Sequence, residues 1–187
     1  MGKSVIFIFI FCIALGMQGL SADEGFTWHL ALVKNNQGLP FDDTVKMNDG
    51  ESFSIDVFTE RECYAYIIVE EASGRITPLL YRQIKAGPNG VAKLPVKLSP
   101  PAGQEKFYVV TSLKEQKDLQ KAIDIYRKEK SDDNAALLMT MLLEINPNGN
   151  NNTKRVGFTG VIRAAEMVDA TEFSGASVYA NTIVISH

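Results

Sequence analysis

The chain holds two histidines, His29 and His187, and two cysteines, Cys12 and Cys63. Nucleophilic catalysis needs a histidine against a serine or cysteine, with a carboxylate to orient it. His29 lies in the strand-like run Phe26-Thr27-Trp28-His29-Leu30-Ala31-Leu32-Val33. It points away from the face that carries Trp28, Leu30 and Leu32, which reads as an exposed strand position. His187 closes the sequence, and no Gly-x-Ser-x-Gly elbow occurs. Zinc would need four ligands at characteristic spacings, and the two histidines and Cys63 show none. Cys63, between Glu62 and Tyr64 at the start of an apolar run, reads as a small buried hydrophobe.

Paired carboxylates stand at Asp42-Asp43, Glu70-Glu71 and Asp132-Asp133. Adjacent strand residues face opposite sides, which separates Glu70 from Glu71 as a general acid/base pair. Asp132-Asp133 follows Ser131 and suits the start of a helix, where cap oxygens and negative charge are stabilising. Asn146, Asn148, Asn150 and Asn152 alternate as in a calcium loop but lack the carboxylates that such a loop requires. Neither a Walker loop nor Gly-x-Gly-x-x-Gly is present. The lysines and arginines from Lys114 to Lys130 alternate with Glu115, Asp118, Asp124 and Glu129, as on a solvated helix face rather than a basic stripe. No catalytic residue, metal or cofactor is assigned on these grounds, and nucleic acid is not an expected partner.

The amino terminus suggests a location. Met1-Gly2-Lys3 is basic, Val5 to Leu15 is apolar, and Gly19-Leu20-Ser21-Ala22 supplies small residues before Asp23-Glu24. That order is the order of a secretory signal peptide, expected at residues 1–22, with an apolar run too short for a comfortable span. Cys12 follows Phe11 inside that run, which does not suit lipidation. Removal of 22 residues leaves 165, with 18 Lys and Arg against 22 Asp and Glu, a net charge of -4. The expected location is the periplasm or envelope of a bacterium, with no stable membrane span in the mature chain. A chain of this size can form one domain, expected at residues 23–187.

The elements that must position any site read mainly as strands. Phe53, Ile55 and Val57 alternate with Ser52, Ser54 and Asp56 as in a half-buried strand. Cys63 to Val69 is apolar on both faces, as in a central strand. Glu71-Ala72-Ser73-Gly74 turns it into Arg75 to Tyr81, whose Pro78 predicts a sheet edge or a bulge. Leu94, Val96 and Leu98 share a face, Ser99-Pro100-Pro101-Ala102-Gly103 breaks the chain, and Lys106 to Ser112 resumes a buried strand. Leu119, Ala122, Ile123 and Tyr126 then repeat with helical period from about Lys114 to Lys130. A second helix, Asn134 to about Ile145, is apolar on nearly every side and is expected to be buried. Arg155 to Arg163 and Val178 to Ser186 are read as two closing strands. The expected fold is mainly β: an antiparallel β-sandwich of about eight strands, with a two-helix insertion at about 114–145 before the last two strands.

Three stretches carry a resemblance. They are Gly50 to Val57, the hairpin Glu62 to Tyr66 through Ser73 to Tyr81, and the turn Leu98-Ser99-Pro100-Pro101-Ala102-Gly103-Gln104-Glu105-Lys106. Together, residues 49–112 resemble the bacterial family known as domain of unknown function 4384. The family's hairpin is usually followed by Phe-Pro, where this chain has Tyr81-Arg82. The resemblance implies a β-sandwich module of exported or envelope-associated proteins and carries over no catalytic residue.

The sequence therefore suggests a non-enzymatic envelope module that binds a protein or glycan through loops or an exposed strand edge. The alternative is a carrier of a small apolar ligand, with a pocket between sheet and helices lined by Tyr64, Tyr66, Tyr126, Met139 and Met141.

Overall fold

A computed structural model describes residues 27–86, 91–145, 153–158, 168–173 and 177–187. These contain β1 (Trp28–Lys34), β2 (Gln37–Leu39), β3 (Val45–Lys46), β4 (Ser52–Thr59), β5 (Cys63–Glu70), β6 (Ile76–Ile84), β7 (Val91–Lys97), β8 (Gln104–Ser112), α1 (Lys117–Lys128), α2 (Asp132–Glu144), β9 (Thr153–Phe158), β10 (Val168–Phe173) and β11 (Val178–Ser186). One sheet has the order β7-β4-β1-β10-β9, with β2 also paired to β1, and the other has the order β3-β11-β8-β5-β6. Every pairing is antiparallel except the short contact of β3 with β11. The fold is a mainly β sandwich with two helices. The expected signal segment, the turn Gly87 to Gly90 and the asparagine loop 146–152 lie outside the described residues.

Two layers of apolar contact hold these elements. Between the sheets lie Trp28, Leu30 and Leu32 of β1, Phe53, Ile55 and Val57 of β4, the β5 residues Cys63, Ala65, Ile67 and Val69, and Phe107 and Val109 of β8. The opposite face of the second sheet presents Tyr66, Ile68, Tyr108, Val110 and Ala180 to the helices, which return Leu119, Ala122, Ile123, Tyr126, Leu138 and Leu142. The apolar character of β5 on both faces thus has a direct cause. One face lines the sandwich, and the other is roofed by the helical pair.

Local chemistry explains several elements. Asn35 and Asn36 both have positive φ, 52° and 62°, and join Lys34 to its partner Gln37 in a two-residue hairpin of the kind that asparagine tolerates. This hairpin adds β2, a short strand not among those expected from the sequence. Pro78 lies on β6, an edge strand, and the β5–β6 register slips between Ile67 and Ile68 opposite it. The expected edge and the expected bulge both occur. Ser131 caps α2 by accepting from the Asn134 backbone N–H at 3.3 Å, and Asp132 and Asp133 occupy its first turn.

Three expectations need correction. Beyond the helices there are three strands rather than two, because β10 pairs on both sides, with β1 and β9. Its sequence Val-Asp-Ala-Thr-Glu-Phe has little apolar alternation, and backbone pairing on both sides defines it. Strand β4 is buried on both faces, since Ser54 and Asp56 are as inaccessible as Phe53 and Ile55. Finally, α2 is not buried all round. Leu138 and Leu142 are inaccessible, whereas Leu137 and Leu143 are 39% and 54% exposed.

Candidate functional site

Strands β6 and β7, each at one edge of its own sheet, carry a proline each, Pro78 and Pro95. A proline cannot donate to a ladder, so neither edge offers an uninterrupted row of donors. β6 and β7 meet along one seam of the sandwich. At one end of it lies a cleft of about 420 Å³, within the usual range for ligand sites.

Two layers make up the lining. Val69 of β5, Leu79 of β6, Val96 of β7 and Phe107 of β8 form an apolar wall continuous with the core between the sheets. Glu71, Ala72, Ser73 and Arg75 from the β5–β6 turn, Lys97, the loop residues Ser99, Pro100 and Pro101, and Glu105 of β8 form a polar rim.

The rim is tied down on several sides. The Gly74 N–H donates to Glu71 O at 2.8 Å, and Gly74 sits at φ 81°, where a side chain would be strained. Across the cleft, Gly103 lies so close to the same turn that a Cβ built on it would meet the Ala72 Cβ at 2.7 Å. Gly103 also exchanges two backbone hydrogen bonds with His187, of 2.8 and 3.0 Å.

Charges at the cleft are arranged unequally. The Glu71 carboxylate accepts from Arg75 Nε at 2.9 Å and from Thr77 Oγ1 at 2.7 Å. Burial tends to raise its pKa, but the bonds from Arg75 and Thr77 outweigh that and hold it below the ordinary range. Glu105 goes the other way. Burial pushes its carboxyl up, His187 pulls it back, and repulsion from Glu71 adds to the rise. The His187 imidazole is wholly inaccessible, with Nδ1 2.6 Å from Asp49 Oδ1 and Nε2 3.6 Å from Glu105 Oε1.

The residues singled out from sequence fall elsewhere. Tyr64, Tyr66, Tyr126, Met139 and Met141 do come together, in the layer between sheet and helices. Tyr66 is inaccessible, and its hydroxyl accepts from the Gln116 backbone N–H at the start of α1, at 2.9 Å. Tyr126 donates to Ile76 O at 2.7 Å. Tyr64 and Tyr66 both stack on Tyr81, with ring centroids 6.5 and 5.1 Å apart. These hydroxyls and rings join strands to helices as packing groups. Cys63 is buried in the core between the sheets, and burial raises its thiol pKa to about 11, which leaves little reactive thiolate near neutrality. Glu70 accepts from Tyr108 at 2.8 Å, whereas Glu71 bonds within its own turn, so the two carboxylates are separated as expected.

His29 is a correction. It lies on the outward face of β1, as its phase predicted, but is only 6% exposed, and its Nε2 is 3.2 Å from Glu172 Oε2 of β10. An inward or outward phase does not settle burial when the strand is central in its sheet. The sequence reading implied that His29→Ala would change stability by less than about 0.5 kcal/mol. With a buried ring and a bonded partner, the expected loss is about 1–3 kcal/mol in a denaturant titration. A change within about 0.5 kcal/mol would show that the contact contributes nothing.

No protein-family model matches the chain, and no curated protein matches it. The resemblance of residues 49–112 therefore rests on the residues quoted for it. That stretch includes every residue that lines the cleft.

Proposed function

We propose that this chain is a non-enzymatic interaction module, exported to the bacterial envelope, that binds a protein partner in the cleft beside β6 and β7. One observation carries the reading: the partly exposed Leu79 and Val96, backed by the buried Val69 and Phe107, lie between rigid, charged lips. Sites of this composition bind by burying an apolar group while a few polar groups set its orientation. At this seam the edges favour this mode over strand addition, because Pro78 and Pro95 interrupt β6 and β7. A protein suits the lining better than a glycan does. The aromatic ring of the lining, Phe107, is inaccessible, which leaves no exposed platform for a sugar face.

The carrier alternative draws no comparable support, since the buried tyrosines of its candidate pocket are bonded within the protein. Among the described residues no helix is long and apolar enough to cross a membrane.

A pull-down from envelope extract tests the reading. Wild-type protein is compared with Ser73→Trp, which places a bulky ring at an exposed turn on the lip, and with Lys97→Glu, which reverses an exposed charge opposite. The expected result is one stoichiometric protein retained by the wild type and lost from both variants. Equal retention by all three would place binding away from the cleft, and an apolar small molecule in place of a protein would favour the carrier.

A further inference from the structure

We infer that the cleft receives a lysine or arginine side chain of the partner, with Glu105 as the acceptor of its charge. The inference rests on the cleft being the interaction site and specifies what enters it.

The two carboxylates of the cleft are not equivalent. Glu71 has both oxygens engaged, one by Arg75 and the other by Thr77. Glu105 faces His187 Nε2 at 3.6 Å, too long for a good hydrogen bond. That ring is already held on its far side by Asp49, at 2.6 Å. Glu105 is thus an under-bonded carboxylate, its side chain 13% exposed, on the same lining as Val69, Leu79, Val96 and Phe107. A largely buried carboxylate with spare acceptor capacity gains from a cation that donates charge-assisted hydrogen bonds to it.

The chemistry of the wall narrows the choice of cation. Leu79 and Val96, over the buried Val69 and Phe107, offer apolar surface but no further acceptor side chain. Lysine and arginine join an aliphatic stem to a charged head, and the stem can lie along apolar surface while the head reaches a polar partner. A small hydrated cation would leave the wall uncovered. The lips fit the same occupant. Arg75 is engaged by Glu71 and is 65% exposed, and Lys97 is exposed opposite, so both can meet the carbonyls or an acidic neighbour of the inserted residue. An anionic side chain reaching the apolar wall would face the Glu105 carboxylate and is disfavoured.

The test uses the purified exported chain, labelled with 15N, and blocked single residues as probes. N-acetyl-lysine methylamide and N-acetyl-arginine methylamide are titrated beside N-acetyl-norleucine methylamide, which has lysine's stem without its charge. The expected result is saturable shifts at Val69, Leu79, Glu105 and Phe107, with both basic probes binding about tenfold or more tightly than norleucine, the scale of one charge-assisted hydrogen bond. Glu105→Gln should abolish that preference while norleucine binding persists. The wild-type comparison decides the matter even if the variant folds poorly. Equal affinity for norleucine, shifts confined to other residues, or a preference retained in Glu105→Gln would each overturn the inference. If no probe prefers the cleft while Ser73→Trp still loses the partner, the interaction reading stands and only the basic side chain is wrong. If Ser73→Trp also retains the partner, both fail.

Discussion

Leu142→Ala should lower the unfolding free energy by about 2–5 kcal/mol in a denaturant titration, the cost of a buried leucine whose site cannot collapse. Leu142 is inaccessible in the layer that joins α2 to the outer face of the second sheet. Its neighbours there include Leu138 one turn earlier on α2, the α1 stripe Leu119, Ala122, Ile123 and Tyr126, and Tyr66 and Ile68 of β5. Truncation would open a void between helix and sheet, and the ring-stacked tyrosines and the hydrogen bonds that tie both ends of α1 to the strands leave little room for it to close. Leu143 supplies the control. It is the next residue and chemically identical, but it is 54% exposed, so Leu143→Ala should cost less than about 0.5 kcal/mol. Near-neutral values for both Leu142→Ala and Leu138→Ala would mean that the helical pair is not core.

Trp28→Ala should be at least as damaging, with a loss of about 3–5 kcal/mol. The side chain is inaccessible and lies at the start of β1, the middle strand of its sheet. Its ring meets that of Tyr179 from the opposite sheet, with centroids 5.7 Å apart and planes inclined at 50°. Truncation therefore removes contacts within one sheet and contacts between the two. A thermal scan should show the melting temperature fall by about 6–20 °C for a domain of this size. Trp28→Phe keeps an aromatic ring and should recover part of the loss. A fall under about 2 °C in Trp28→Ala would show that the sheets do not depend on this contact.

The candidate site was only partly legible. The Ser99-Pro100-Pro101 break and the Glu71 to Gly74 turn were visible as turns, but nothing in the local sequence says that they face each other. Their proximity depends on the β7–β8 loop folding against the β5–β6 turn, a long-range contact marked by Gly103 against Ala72. Glu105 carried one usable signal. It is in phase with Phe107 and Val109 on β8, which places a charge at an inward position of a core strand. His187 carried none, because its burial comes from Asp49 and Glu105, residues remote in sequence.

The residue pattern by itself determined the mainly β class, the helical pair, the Ser131 cap, an edge or a bulge at Pro78 and the two-sided burial of β5. Each is a local property, because strand and helix periods and proline's missing donor act within a few residues. Tertiary structure decided the rest. It chose Leu138 and Leu142 as the buried face of a helix with apolar residues on nearly every side, and left Leu137 and Leu143 to solvent. Pairing on both flanks turned Val168 to Phe173 into a strand that its side chains did not announce. Central placement in the sheet buried His29, and the approach of the β7–β8 loop to the β5–β6 turn created the cleft. Pairing and burial on this scale depend on which surfaces meet, and alternation along one segment records only which of its own faces is apolar.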